Sequence, residues 1–207
     1  MELELDQKPA RAQVPGPAEA PASGHVVRRV RADEWAAARE LRLAALRDPL
    51  APIAFLETYE TALARPDAEW QERTATAAEG RDVVQFVAEA PGGGWDGTVT
   101  LLVERAGVEA RIGKAAPVDQ THVVGVFVRP EARGSGVADA LFRAALDWSW
   151  ALESPRAERV RLVFHADNVC AEGLYRRMGF LPSGDASPIP GDADAREYVV
   201  ARPPAGV

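Results

Sequence analysis

The sequence contains a single cysteine, Cys170, among its 207 residues. A disulfide within the chain needs two cysteines, so none can form, and a metal site built from several thiolates is excluded as well. No basic residue stands beside Cys170 in the sequence to lower the pKa of its thiol, which argues against a cysteine nucleophile. We therefore expect neither a metal centre nor thiol-based catalysis.

Long apolar runs and an excess of positive charge are also missing. No stretch approaches the roughly 20 apolar residues of a membrane-spanning helix, and the N-terminal MELELDQKPARAQ lacks the apolar core of a signal peptide. The net charge is −7 and the pI is near 5.1, which disfavours non-specific binding to nucleic acid or to anionic lipid. These absences predict a cytoplasmic protein that binds neither nucleic acid nor membrane.

The composition that remains suits one globular domain. Hydrophobic residues make up 47% of the chain and charged residues 27%, which is close to the average of folded proteins. Residues 1–24 are rich in alanine, proline and glycine and show no hydrophobic period, so they are predicted to be a disordered tail. Residues 25–207 are predicted to form a single folded domain.

The hydrophobic pattern of that domain predicts an alternation of strands and helices. Its first half predicts a strand at HVVRRV and helices at ADEWAAARELRLAALRD, LAPIAFLETYETALA and PDAEWQERTATAAEG. The second half predicts strands at DVVQFVAEA, TVTLLVER, THVVGVFV, RVRLVFH and AREYVVAR, with helices after THVVGVFV and at NVCAEGLYRRMG. This order favours an α/β (α+β) fold with a mixed sheet. The two strand–helix–strand passages near the C-terminus are expected to be parallel or nearly so.

The segment RPEARGSGVADAL has the composition of an anion-binding turn. A predicted strand leads into residues 133–138, which open a helix whose first amides lack internal partners and lie at the positive end of the helix dipole. Gly134 and Gly136 would let an anion approach the backbone closely, and Arg133 would add charge. The segment therefore predicts a seat for a phosphate or pyrophosphate group, against the alternative of an ordinary strand-to-helix turn.

Two common nucleotide-binding patterns do not fit this segment. A P-loop needs a lysine that the segment lacks, which disfavours a nucleotide-dependent phosphotransferase. A dinucleotide-binding fingerprint needs glycine or alanine where Asp139 stands, and the strand before the segment is not the first of the fold. The segment by itself leaves the identity of the anion open.

Two motifs together resemble the GNAT superfamily of N-acyltransferases. Arg133-x-x-Gly136-x-Ala138 matches the R/Q-x-x-G-x-G/A signature of that family. Downstream, NVCAEGLYRRMGF resembles its N-x-x-A-x-x-x-Y-x-x-x-GF block through Asn168, Ala171, Tyr175, Gly179 and Phe180. The motifs occur in the family's order and separation, and the resemblance extends over roughly residues 26–201.

The resemblance implies a mixed, mostly antiparallel sheet of about six to seven strands flanked by about four to five helices. It also implies acetyl-CoA as co-substrate, without a metal. The residues implied in binding its pyrophosphate are Arg133, Gly134, Ser135, Gly136, Val137 and Ala138. The pantetheine would contact the backbone near Val126 and Val128, and Asn168 would either contact the cofactor or only cap its helix.

The activity that the resemblance implies is direct transfer of an acetyl group to a primary amine through a tetrahedral intermediate. Tyr175 matches the family's general acid, although its ring could instead only pack against the sheet. His122 is the first choice of general base, with a water chain, Glu57 or Glu104 as alternatives. The other reading of the chain is a non-catalytic acyl-CoA-binding or regulatory module of the same fold.

The acceptor is expected to be a small-molecule or peptide amine. The acidic composition could favour cationic amines such as polyamines, aminoglycosides or lysine side chains, but net charge does not determine the charge of a local site. Members of this family often form dimers, so the resemblance also allows a homodimer.

Overall fold

The computed structural model describes residues 24–184 and 192–204. The strands are β1 (Val26–Arg29), β2 (Val83–Glu89), β3 (Trp95–Glu104), β4 (Gln120–Val128), β5 (Arg159–His165), β6 (Leu181–Pro182) and β7 (Ala195–Ala201). The helices are α1 (Trp35–Leu46), α2 (Ala51–Ala54), α3 (Tyr59–Ala64), α4 (Asp67–Glu79), α5 (Val137–Ala151) and α6 (Val169–Arg177). Apart from Gly24, the predicted disordered tail lies outside the described residues. None of the described helices is both long and apolar enough to cross a bilayer.

The seven described strands form one sheet in the order β1-β2-β3-β4-β5-β7-β6. Neighbouring strands are antiparallel except for β4 and β5, which pair in parallel. The predicted mixed, mostly antiparallel sheet is therefore confirmed. The described part of the chain has six α-helices against the predicted four to five, because one predicted helix is divided in two.

The divided helix is the one predicted over residues 50–64. α2 ends at Ala54, and Phe55 has an extended backbone with φ −138° and ψ 141°. A new helix, α3, starts behind Thr58, whose hydroxyl accepts a hydrogen bond from the Thr61 amide at 3.2 Å. Threonine is a preferred N-cap residue, and its capping of a second helix outweighed the continuous apolar spacing. The turn between the two helices borders the site described below.

The expectation of two parallel passages near the C-terminus is half correct. β4, α5 and β5 form a parallel unit, as predicted. β5 and β7, however, are antiparallel. The chain leaves α6 through the two-residue strand β6, which runs in the same direction as β5, and β7 then turns back to lie between them. A two-residue strand carries no hydrophobic period, so the pattern did not reveal it.

Helices cover both faces of the sheet. On one face, α5 and α6 pack on the strands through buried side chains such as Leu141, Phe142 and Tyr175. On the other face, Leu41 of α1 and Ala77 of α4 pack with strand residues. A strand covered on both faces needs apolar residues on both, which explains the nearly continuous apolar run of β4.

Strand β4 has an irregular stretch at the centre of the sheet. Thr100 pairs with Val124 and Thr98 with Phe127, so β4 contains a bulge, and Gly125 within it has a left-handed φ of +61°. On its other edge, β4 pairs with β5 only as far as Val123. Beyond that point the two strands share no paired residues, and a wedge opens between them.

Candidate active site

Two cavities meet at the wedge between β4 and β5. The first, called the small cavity, has a volume of about 110 Å³ and reaches α6. The second, the large cleft, has about 700 Å³ and lies against α1, α2 and α4. Both are lined by Ile53, Ala54, Val123, Val124, Gly125, Val163 and Phe164. Because they share this wall, a group held in one cavity can contact a group held in the other at the β4 bulge.

Residues 133–138 form the turn between β4 and α5 that the sequence predicts to bind an anion. Gly134 and Gly136 have φ values of +77° and +85°, which glycine adopts without strain. A Cβ added at either position would meet nothing within 4 Å, so the turn has an open side. The amides of Gly134, Gly136, Val137 and Ala138 donate to no other described residue. The turn therefore presents free N–H groups at the start of a helix, as an anion requires.

Arg133 is held in place rather than extended freely beside that turn. Its Nε donates to the Val128 carbonyl at 3.1 Å, and its Nη2 pairs with the carboxylate of Asp48, whose side chain is buried. Ser135 is also engaged, since its hydroxyl donates to the Ala132 carbonyl at 2.6 Å. The positive potential of the turn consequently comes mainly from its amides, with the Arg133 charge partly balanced by Asp48.

Of the two β4 residues predicted to contact pantetheine, only one lines a cavity. Val126 lines the small cavity. Val128 lines neither cavity, and its carbonyl is the one that accepts from Arg133. Both follow the point where β4 loses its pairing with β5.

Asn168 caps α6, as one of its two predicted roles requires. Its side-chain Oδ1 accepts a hydrogen bond from the Ala171 amide at 3.2 Å. Both residues also line the small cavity. The cap leaves the Asn168 amide group beside the space where a cofactor contact is predicted.

Tyr175 lies on α6 with its ring inside an aromatic cluster. The ring centroid is 5.6 Å from that of Phe142, 5.3 Å from that of Phe164 and 6.4 Å from that of Phe180. The residue also lines the small cavity, and its hydroxyl donates to no other described residue. Burial raises the pKa of this phenol above its usual value, so Tyr175 is a neutral proton donor at physiological pH.

His122 lies on β4, is 1% exposed and lines the large cleft. Its Nδ1 is 3.0 Å from Oε1 of Glu104. A carboxylate only accepts hydrogen bonds, so Nδ1 carries the proton and Nε2 is left as an acceptor without a hydrogen-bond partner among the described residues. Burial lowers the pKa of His122, although Glu104 opposes the shift, and the imidazole is therefore neutral at pH 7.

Two carboxylates considered as bases are bound by other groups. Burial acts to raise the pKa of Glu104, but hydrogen bonds from His122 and Arg161 lower it to about 2. Burial opposes the shift at Glu57 as well, and hydrogen bonds from Arg65 and Arg42 lower its pKa. Neither carboxylate takes up a proton readily at neutral pH, which leaves His122 as the best-placed base of the three.

The sequence did not point to the arginines of the large cleft. Arg42 comes from α1, Arg73 from α4 and Arg111 from the loop between β3 and β4. No motif joins these positions, because the three elements meet only in the folded sheet. Among the described residues, no group of three or more His, Cys, Asp or Glu side chains is arranged to hold a metal ion.

Comparison with protein families gives one match to this region of the chain. The model of the acetyltransferase (GNAT) family matches residues 50–180. That range includes the turn at residues 133–138, His122 and Tyr175, and it ends at Phe180, the last residue of the second motif.

Known proteins are similar over part of the chain or in fold. A Bacillus subtilis (strain 168) protein provisionally named a ribosomal protein bS18-alanine N-acetyltransferase is 28% identical over 85 residues, 41% of this chain and 54% of its own. The mycothiol acetyltransferase of Pseudarthrobacter chlorophenolicus is 40% identical over 73 residues, 35% of this chain and 21% of its own. The chain thus spans about half or less of these curated relatives.

The fold is shared with solved structures. That of paiA N-acetyltransferase from Thermoplasma acidophilum in complex with coenzyme A has a TM-score of 0.63 to this chain and 13% sequence identity. The similarity covers 86% of this chain and 99% of the other. At this identity the likeness concerns the fold.

Proposed function

The chain belongs to the acetyltransferase (GNAT) family, and on that premise we propose that it transfers an acetyl group from acetyl-CoA to the primary amine of a small molecule or peptide. The observation that carries this proposal is the wall shared by the small cavity and the large cleft at the β4 bulge. A thioester in the small cavity and an amine in the large cleft would meet there, as direct transfer requires.

The residues of the donor side fit acetyl-CoA, which supplies the activated acyl group. The free amides of Gly134, Gly136, Val137 and Ala138 would bind its pyrophosphate, and the open side of the turn leaves room for it. The pantetheine would lie in the wedge along β4, beside Val126. Asn168 and Tyr175 would line the same space from α6.

His122 would remove the proton from the acceptor. A primary amine is protonated at neutral pH and must lose a proton before its nitrogen attacks the thioester carbon. The Nε2 atom of His122 is an acceptor on the wall of the large cleft, and Glu104 holds the ring in that tautomer. The low pKa of His122 keeps Nε2 free to accept the proton at pH 7.

The negative charge on the carbonyl oxygen and the protonation of the departing thiolate would both be provided for at the wedge between β4 and β5. As the amine nitrogen bonds to the acyl carbon, negative charge develops on the carbonyl oxygen, and a backbone amide of the unpaired part of β4 would stabilise it. The carbon–sulfur bond then breaks, and the Tyr175 hydroxyl would protonate the departing thiolate. Its raised pKa keeps the phenol protonated until that step, and the phenolate would then regain a proton from solvent as His122 releases the one it took from the amine.

Calorimetric titration with acetyl-CoA, followed by a thiol-release assay with a broad panel of amines, tests the proposal. We expect saturable binding and release of one thiol per acetylated amine. Absence of binding at ~1 mM acetyl-CoA would refute it. Binding without turnover on any amine would instead favour the non-catalytic acyl-CoA-binding module.

The role of Tyr175 is tested by Tyr175→Phe. Loss of the proton donor should lower kcat by about 100-fold with little change in acetyl-CoA affinity. Tyr198→Phe is the control, because the Tyr198 hydroxyl is bonded to Glu172 at 2.5 Å and lines neither cavity. If Tyr175→Phe turns over as fast as the unaltered protein, Tyr175 only packs against its aromatic neighbours.

A further inference from the structure

The charge of the large cleft indicates which amines it accepts. We propose that the acceptor carries, besides its primary amine, an anionic group, a carboxylate or a phosphate, that binds to Arg73 and Arg111. This inference rests on the proposed function, since it assigns the amine end of the same molecule to His122. It departs from the cationic amines that the acidic composition of the whole chain favours.

The carboxylate of Glu57 is bound by Arg42, which lines the cleft, and by Arg65, which does not line the cleft. Arg42 Nε donates to Glu57 Oε2 at 3.0 Å, and Arg65 Nη2 pairs with Oε1. Both carboxylate oxygens are thus already bound to a guanidinium. Glu57 has no further oxygen to offer Arg73 or Arg111.

Arg73 and Arg111 are consequently left without an acidic partner. Both line the cleft, and neither makes a hydrogen bond or an ion pair with any other described residue. Partial burial, and then the charges of Arg65, Arg42 and Arg111, lower the pKa of Arg73, and the charge of Glu57 offsets only part of this shift. Four guanidinium groups near one carboxylate repel each other, and a bound anion would relieve that repulsion.

The same cluster contains hydrogen-bond donors with nothing to bind. Arg65 Nη1 and the indole Nε1 of Trp70 are buried and find no acceptor among the described residues. Buried donors are almost always bonded in native proteins, so these two unmatched donors add to the excess of donors and positive charge around Glu57. A carboxylate or phosphate supplies acceptor oxygens and the negative charge together.

The other acidic residues of the cleft do not balance these arginines. Asp192 accepts hydrogen bonds from the Asp194 and Ala195 amides at 3.0 and 3.1 Å. Glu72 lines the cleft but makes no ion pair with Arg73, its neighbour on α4. The positive charge near Glu57 therefore remains available to a ligand.

The cleft is large enough for a small molecule that carries an amine and an anionic group. Its volume of about 700 Å³ is within the range of sites that enclose small ligands. Apolar side chains, including Phe55 and Trp70, line the same cleft. These features fit an acceptor with an amine at one end, an apolar or flexible body, and an anionic group at the other.

The test compares amines that differ only in the anionic group. The pairs are 6-aminohexanoate with n-hexylamine, for the carboxylate, and O-phosphoethanolamine with ethanolamine, for the phosphate, with spermidine as the cationic amine. In a thiol-release assay we expect the anionic member of at least one pair to have a kcat/KM at least about tenfold higher than its partner. The pair that shows the preference identifies the anion.

Arg73→Glu and Arg111→Glu should each remove that preference by raising KM for the anionic amine at least about tenfold, with kcat and acetyl-CoA affinity little changed. Arg73→Gln should have a smaller effect in the same direction. Arg81→Glu is the matched control, because Arg81 follows α4, has an 80% exposed side chain and does not line the cleft. It makes the same change in net charge and should keep the preference.

The outcomes separate this inference from the proposed function. If neither anionic amine is turned over better than its matched partner, or if spermidine is turned over as well as the better anionic amine, the inference is overturned and the acetyltransferase activity stands. If no amine turns over, calorimetry with N-acetyl-6-aminohexanoate decides. At least about tenfold weaker binding to Arg73→Glu than to Arg81→Glu supports the anion site, and equal binding to both overturns it.

Discussion

The small cavity and the large cleft share a wall at the wedge between β4 and β5, but they are built in different ways. The proposed donor side relies on backbone: the amides of Gly134, Gly136, Val137 and Ala138, and the unpaired end of β4. The acceptor side relies on side chains that reach in from separate elements, such as His122, Arg73 and Arg111.

This difference has a physical origin. Backbone amides can be offered to an anion only by a particular local conformation, and that conformation restricts which residues can occupy it. Side chains on helices and loops face no such restriction, because a change at Arg73 or Arg111 leaves the backbone of α4 or of the β3–β4 loop unaltered. Substitutions in the two regions should therefore differ in what they affect.

The largest effect is expected from His122→Gln. Loss of the general base should reduce kcat by about 100- to 10,000-fold, while acetyl-CoA binding, which depends on the backbone of the other side, should remain. Steady-state kinetics and calorimetric titration measure the two. His165→Gln is the control, since His165 also lines the large cleft. Equal losses of kcat in both variants would rule out a specific role for His122.

The pH dependence gives a second check on His122. Burial holds its folded-state pKa below the usual 6.5, and the base works only when neutral. Activity should therefore persist at pH 6.5 and fall as the pH drops through the lowered pKa, and this acid limb of kcat/KM should be absent from His122→Gln. A limb centred above pH 6.5 would contradict the assignment.

Glu104→Gln should cost about 3 kcal/mol of stability, because it leaves the buried guanidinium of Arg161 with Glu197 as its one remaining carboxylate. The pKa of Glu104 is about 2 when folded and 4.5 ordinarily. Its contribution is therefore present above pH 4.5 and is lost as the pH falls towards 2. Urea unfolding at pH 7 and pH 3 measures both effects.

The control for Glu104 is Glu79→Gln, on an exposed part of α4, which should alter stability by less than about 0.5 kcal/mol. If the gap in stability between Glu104→Gln and the unaltered protein stays the same at both pH values, the carboxylate is not ionised at this site.

Gly136→Ala should show whether Gly136 contributes to acetyl-CoA binding as well as to the stability of the fold. Alanine at φ +85° costs about 1–2 kcal/mol of stability, and distortion of the turn should weaken acetyl-CoA binding about tenfold. Gly93, at φ +84° with open space around it, lies outside both cavities. Gly93→Ala should show a similar loss of stability with unchanged binding, and a matching loss of affinity there would mean that Gly136 acts through stability alone.

The smallest effect is expected from Asn168→Ala, which removes the cap of α6 and should cost about 1 kcal/mol of stability. Asn168→Asp keeps a capping oxygen and should retain most of it. Thermal unfolding with and without acetyl-CoA distinguishes the two predicted roles. A cofactor contact would make the alanine variant bind less tightly, whereas a pure cap would leave the affinity unchanged.

The residues of the small cavity were predicted from the sequence better than those of the large cleft, because the former lie close together in the chain. The turn at residues 133–138 and the helix of Tyr175 are each encoded within a few consecutive residues, so their patterns were visible. The ion pairs of Glu57 and the unpaired Arg73 depend on contacts between elements distant in the chain, which periodicity does not contain. His122 was named from the sequence as a possible base, whereas its hydrogen bond with Glu104 depends on the pairing of β3 with β4.

The fold shows the same division. Strands with strong alternation or continuous apolar runs were predicted close to their observed bounds. The break in the helix over residues 50–64 depends on the capping of Thr58, and the antiparallel return of β7 depends on β6, which is too short to have a period. The helices and strands could therefore be predicted from local sequence patterns, whereas the path of the chain between them could not.

The bulge at Gly125 also sets the phase of β4. Thr121 faces α5, with its hydroxyl 2.8 Å from that of Ser149, whereas the next residue, His122, lines the large cleft. Strict alternation would then turn Phe127 towards α5, yet Phe127 packs with α1 and α4 on the opposite face. One inserted residue reverses odd and even positions midway along the strand. Removing Gly125 would exchange the faces of every later residue in β4, so the proposed separation of donor and acceptor sites depends on one inserted residue in a single strand.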